Sequence, residues 1–112
     1  MQLRSLVSRA AVALAASLVC AASSAQPGNP QAGRQKAQQC NVCHGPTGIS
    51  TAPDAPNLAG QPAIYVAAQL KAYRDGGRKH EVMAVMAKPL SDEDIANLAA
   101  WYATIRIEAT AP

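Results

Sequence analysis

The chain has no phenylalanine, one tryptophan and three tyrosines among its 112 residues. So little large apolar surface makes a self-sufficient core difficult, because small domains bury a smaller fraction of their surface on folding. Histidine occurs only at positions 44 and 80, and cysteine only at 20, 40 and 43. That leaves no second Cys/His pair for a four-ligand zinc site. No segment alternates apolar and polar residues as a half-buried strand does, and no repeat or low-complexity block occurs. A β architecture is excluded, and with it the βαβ setting that a thioredoxin-like cysteine pair requires. The longest apolar run, Ala10 to Ala22, is too short for a membrane span.

That run instead reads as the centre of an export signal. Arg4 and Arg9 precede it and small residues, Ser23 and Ala25, follow it, so residues 1–25 are expected to be a secretory signal peptide cleaved after Ala25. Cys20 raises the alternative of a lipid-modified cysteine, but the residue before it is Val19 rather than a small one. A soluble periplasmic product is therefore expected in preference to a lipid-anchored one. Without Arg4 and Arg9 the ten basic residues become eight against seven acidic ones, a net charge of +1. The basic character of the full chain belongs partly to the leader, and a nucleic-acid partner has no support. The remaining domain, residues 26–112, has no membrane span and is expected to be flexible at 26–30 and 108–112.

What is present is chemically specific. Cys40-Asn41-Val42-Cys43-His44 is a C-x-x-C-H site, in which two thiols attach a haem covalently and the adjacent histidine ligates its iron. Cysteines three apart on a helical turn project from the same side, so both can reach one edge of a porphyrin. A neutral imidazole is a good iron ligand. A plain disulfide would leave His44 without a role. A covalent haem also supplies the core that the aromatic-poor sequence lacks.

The rest of the domain reads as helices and turns. Gln31 to Cys40 consists largely of helix formers and runs into the motif. Gly45 to Gly60 carries Pro46, Gly48, Pro53 and Pro56 and is expected to be an irregular loop. Pro62 suits a helix start, and Ile64, Tyr65, Leu70 and Tyr73 continue that helix to Gly76-Gly77. Arg74, in its last turn, complements the helix dipole. Arg78-Lys79-His80-Glu81 reads as a polar run with a solvated histidine. Ser91 caps a last helix, with Asp92, Glu93 and Asp94 in its first turn. Along that helix Ile95, Leu98, Tyr102 and Ile105 form one apolar stripe, with Trp101 beside it. The three acidic residues begin a helix and pair with no nucleophile, so no bond chemistry is indicated. Arg74, Arg78, Lys79 and Lys88 offer a local basic patch.

Either the second axial position of the iron stays open or its ligand comes from Met83, Met86 or His80. A methionine thioether raises the potential relative to harder ligands and suits an electron carrier, although methionine also serves as core filling.

From Gly33 to Tyr102 the chain resembles a class I cytochrome c, closest to the small bacterial cytochrome c4 and c553 kind. The resemblance rests on AGRQKAQQCNVCHGPTG, PNLAGQPAIYVAAQLKAYRDGGR and MAVMAKPLSDEDIANLAAWY, in that order and spacing. It implies a small all-α fold of three to five helices wrapped around one covalently attached haem c. Cys40 and Cys43 match the thioether cysteines and His44 the proximal iron ligand. Met83 matches the methionine iron ligand, and Met86 falls to haem packing. Pro56 matches the proline whose carbonyl accepts the proximal imidazole N–H, and Gly33 the glycine at which the first and last helices cross, with Trp101 as its partner. The resemblance further implies a non-enzymatic periplasmic carrier of single electrons, cycling Fe(II) and Fe(III) between redox proteins such as a periplasmic dehydrogenase and a terminal oxidase or reductase. Two other readings stand beside it: a haem subunit docked in a larger respiratory dehydrogenase or oxidase complex, and a ligand-binding or catalytic haem protein.

Overall fold

The computed structural model describes residues 27–112, and its elements are helical. The signal-peptide expectation for residues 1–25 lies outside the described residues. Five α-helices follow one another: α1 (Pro30–Lys36), α2 (Asn41–His44), α3 (Ala63–Asp75), α4 (Glu81–Ala87) and α5 (Asp92–Thr104), with a 3-10 turn at Ala37–Gln39.

Each boundary has a local cause. Asn29 opens α1, its side chain accepting from the Gln31 and Ala32 N–H groups at 2.9 and 3.2 Å, and Pro30 occupies the first turn, where its missing N–H costs nothing. The single helix expected from Gln31 to Cys40 is instead divided: the chain tightens into the 3-10 turn and restarts at Asn41. Tight turns of this kind are common where one helix ends and the backbone must re-aim. Pro62 precedes α3, which stops at Gly76 in a left-handed cap. No pattern in the sequence predicts an element over 81–87, yet α4 forms there. His80 is its cap, the ring Nδ1 accepting from the Met83 N–H at 3.2 Å. The ring stays exposed, but it is engaged with the backbone rather than only with water.

Helix α5 is the spine. Its capping box is complete: Ser91 Oγ accepts from the Asp94 N–H at 3.0 Å and the Asp94 carboxylate accepts from the Ser91 N–H at 3.1 Å. Ile95, Leu98 and Tyr102 are fully buried on the expected stripe, and Ile105 is half-buried at its end. They join Ala37, Ala87 and Leu90 in the core, with Cys40, Leu58, Leu70, Tyr73 and Trp101 packed against it. Helix α5 packs on α1 and α3, and α4 packs on α3.

The α1–α5 crossing depends on Gly33. A Cβ there would sit inside the Asn97 carbonyl and 2.8 Å from the Trp101 Cβ, so the two backbones meet at a distance only glycine permits. Asn97 adds a bond across the crossing, its Oδ1 accepting from the Asn29 N–H at 2.7 Å, and Lys36 pairs with Asp94 at 3.0 Å.

Two consequences for stability follow. Ser91→Ala is expected to lower unfolding free energy by about 1 kcal/mol, the usual cost of losing an N-cap side chain, read from denaturant or thermal melts. The Ser91 N–H, and after it Lys36, hold the Asp94 carboxyl below its ordinary value. A depressed folded pKa contributes stability that is fully present above the ordinary 3.8 and is lost as pH falls from there through the folded value. Acid melts should therefore show the protein weakening below that pH.

Candidate functional site

The site is built on the α2 turn and the loop that returns beneath it. The His44 N–H bonds to the Cys40 carbonyl at 2.9 Å, so the Cys40–His44 segment is one helical turn. Cys40 and Cys43 are free thiols, Cys40 half-buried against the core and Cys43 exposed. Burial is the main cause that pushes the Cys40 thiol up. Val42, between them, is 90% exposed.

His44 is buried and its Nδ1 lies 2.8 Å from the Pro56 carbonyl oxygen. A carbonyl can only accept, so Nδ1 carries the proton and Nε2 is left as the nitrogen available to a metal. The loop is held in this course by contacts that sequence reasoning did not identify. Ser50 Oγ donates to the Cys43 carbonyl at 2.8 Å, and the Ser50 N–H donates to Asn57 Oδ1 at 2.7 Å. The Leu58 and Ala59 N–H groups both reach the Gly48 carbonyl, at 2.7 and 3.0 Å. Gly48 has φ of 74°, and a Cβ on it would lie 2.8 Å from the Ala59 nitrogen. The available signal was the Pro56-Asn57 pair, since asparagine side chains commonly close turns on nearby backbone.

Met83 and Met86 lie three residues apart on α4 and are both half-buried, so they share one side of that helix. His80, the third candidate, is committed to capping the same helix. The expected basic patch is reduced: Arg74 is engaged by Asp75, Asp92 and the Leu90 carbonyl. Arg78 donates to Gln69 at 2.6 Å and lies over the Tyr73 ring. Lys79 and Lys88 remain exposed.

The residues fit a covalently attached haem. Two unpaired thiols share one turn with a buried imidazole whose Nδ1 is held by the Pro56 carbonyl, leaving Nε2 for a metal, and two thioethers stand on a separate short helix. The buried Tyr102 hydroxyl has no hydrogen-bond partner of ordinary geometry. Desolvation first, and then the neighbouring Cys40 sulfur, raise its pKa. Among the described residues no helix is long and apolar enough to cross a membrane.

Comparison with known proteins agrees with this chemistry. The cytochrome c family model matches residues 30–105. Cytochrome c-554(548) of Halomonas halodenitrificans is 49% identical over 80 residues, covering 69% of this chain and 96% of that protein. Cytochrome c4 of Thiocapsa roseopersicina is 46% identical over 84 residues, covering 74% of this chain and 43% of the relative. The thiosulfate dehydrogenase electron acceptor of Thiomonas intermedia is 40% identical over 83 residues, covering 73% and 38%. The crystal structure of reduced recombinant cytochrome c4 from Pseudomonas stutzeri superposes with a TM-score of 0.68 at 38% identity, over 70% of this chain and 46% of that one. The chain thus spans nearly all of the first of these relatives and less than half of the others.

Proposed function

The chain belongs to the cytochrome c family and is a single-haem electron-transfer protein rather than an enzyme, and from that premise we propose a periplasmic carrier whose iron is held between His44 and Met83. The observation that carries the proposal is the His44 ring, buried and tied through Nδ1 to Pro56 at 2.8 Å. That bond fixes the tautomer and orientation of the imidazole and makes Nε2 a stronger donor.

Bound haem c supplies reversible one-electron exchange at its iron. The chain's own residues do the rest. Cys40 and Cys43 hold the group through thioethers, Cys40 on the core side and Cys43 on the exposed side. Met83 supplies the sulfur ligand and Met86 packs beside the group. With His44 Nε2 and the methionine sulfur both holding the iron, no place would be left there for a substrate, and oxidation or reduction would call for little rearrangement of protein groups. The exposed turn at Val42, between the two cysteines that would attach the haem, is the natural place for a redox partner to approach. The donor is a dehydrogenase and the acceptor a terminal oxidase or reductase. The electron-acceptor relative supports the dehydrogenase half of this reading.

A second reading, the same module docked in a larger complex, draws on the relatives that are more than twice as long as the aligned segment. Copurification of a partner at a one-to-one ratio would favour it.

Carbon monoxide separates a sealed iron from an open one. Reduced protein is expected to bind it slowly and weakly, followed by the change in the main absorption band. Rapid, tight binding would overturn the His44/Met83 carrier and favour a ligand-binding role.

A further inference from the structure

Arg74 connects three residues through its side chain. It lies in the last turn of α3, and its Nε donates to Asp75 Oδ1 at 2.9 Å. One terminal nitrogen, Nη1, reaches Asp92 Oδ1 at 2.8 Å and the Leu90 carbonyl oxygen at 3.2 Å. A single guanidinium thus ties the end of α3 to the first turn of α5 and to the connection between α4 and α5.

The bonds are not equal in weight. The Asp75 and Asp92 side chains are 63% and 74% exposed, and exposed ion pairs contribute little to stability. The bond to Leu90 is part-buried, and hydrogen bonds to charged donors are stronger when water is excluded. Leu90 itself is buried in the core, and its N–H bonds to the carbonyl of Ala87, the last residue of α4, at 3.0 Å. Only residues 88–91 separate α4 from α5, so fixing the Leu90 carbonyl fixes the C-terminal end of α4. That helix has seven residues, too few to hold its shape or position alone. Besides its packing on α3 through the buried Ala87, its location comes from its two ends, the His80 cap and the Leu90 connection.

We infer that Arg74 is a positioning residue, which grips the Leu90 carbonyl and thereby holds α4 and its methionine sulfur in place as the iron's second ligand. The inference rests on the proposed methionine ligation, and it stands whether Met83 or Met86 supplies the sulfur, since both ride on α4.

The test uses oxidised holoprotein titrated with free imidazole, a competitor for the methionine position. The readout is loss of the weak long-wavelength sulfur-to-iron absorption band. Arg74→Gln is expected to bind imidazole about tenfold more tightly than wild type, the effect of losing one hydrogen bond to a charged donor. Asp92→Asn removes the ion pair and leaves the Leu90 contact, so its affinity should stay within about twofold of wild type, as for other exposed pairs. Equal affinities in wild type and Arg74→Gln would overturn the inference. So would equal shifts in Arg74→Gln and Asp92→Asn, which would assign the effect to charge rather than to the grip on Leu90. A wild type without the band would instead overturn the methionine ligation itself, and the role of Arg74 with it.

Discussion

Met83→Ala is expected to lower the reduction potential by about 0.1 V or more, a fraction of the ~0.8 V range over which axial ligands set haem potentials. The sign follows from the donor. A thioether stabilises the reduced iron relative to water or nitrogen ligands, so replacing it by either favours the oxidised state. Met86→Ala removes packing only, and its potential should move far less. The His44 side is untouched in both variants, because the His44–Pro56 bond involves no residue of α4. Potentiometric titration of the two variants beside wild type reads the difference. A large drop in Met86→Ala with none in Met83→Ala would exchange their roles.

Gly33→Val should be strongly destabilising. The added side chain meets the Asn97 carbonyl and the Trp101 Cβ, and backbone cannot swing aside as a flexible side chain does. Overpacking ordinarily costs about 1–3 kcal/mol and sometimes more. A backbone target places this case at the upper end, and small domains have only ~5–15 kcal/mol in total. The crossing it opens also holds the Asn29–Asn97 bond and the Lys36–Asp94 pair, so those contacts weaken together. Gly77→Ala is the matching control. A Cβ there has nothing closer than 3.8 Å, and its stability should lie within about 1 kcal/mol of wild type. Thermal melts of the two variants should differ widely. Similar melting temperatures would mean that the helices can separate at Gly33 without loss.

Much of this molecule was legible from residue order alone, for reasons that differ by element. The motif turn was legible because its chemistry is compressed into five consecutive residues. Helix α5 was legible because its cap, its acidic first turn and its apolar stripe all point the same way. The family resemblance then pointed to the close approach at Gly33 and to the Pro56 carbonyl. The features that escaped depend on partners distant in sequence or on atypical residues. Helix α4 is short and capped by a histidine, so neither length nor a Ser, Thr, Asp or Asn signal marked it. The break between α1 and α2 is a change of turn tightness within a run of good helix formers, which propensity does not register. Arg74 looked like one member of a cationic patch, because nothing local announces that its guanidinium reaches Leu90, sixteen residues on. Ser50 and Asn57 sit in a stretch whose prolines and glycines predict only an irregular loop, though their bonds hold that loop beneath His44.

The ligation itself is best probed by the optical spectrum of oxidised holoprotein, recorded for wild type, Met83→Ala and Met86→Ala after expression in a haem-attaching periplasm. The weak long-wavelength band from methionine sulfur to iron should be present in wild type and Met86→Ala and absent in Met83→Ala. A band that survives in Met83→Ala and vanishes in Met86→Ala would move the ligand one turn along α4, and no band in wild type would refute the closed, two-ligand carrier.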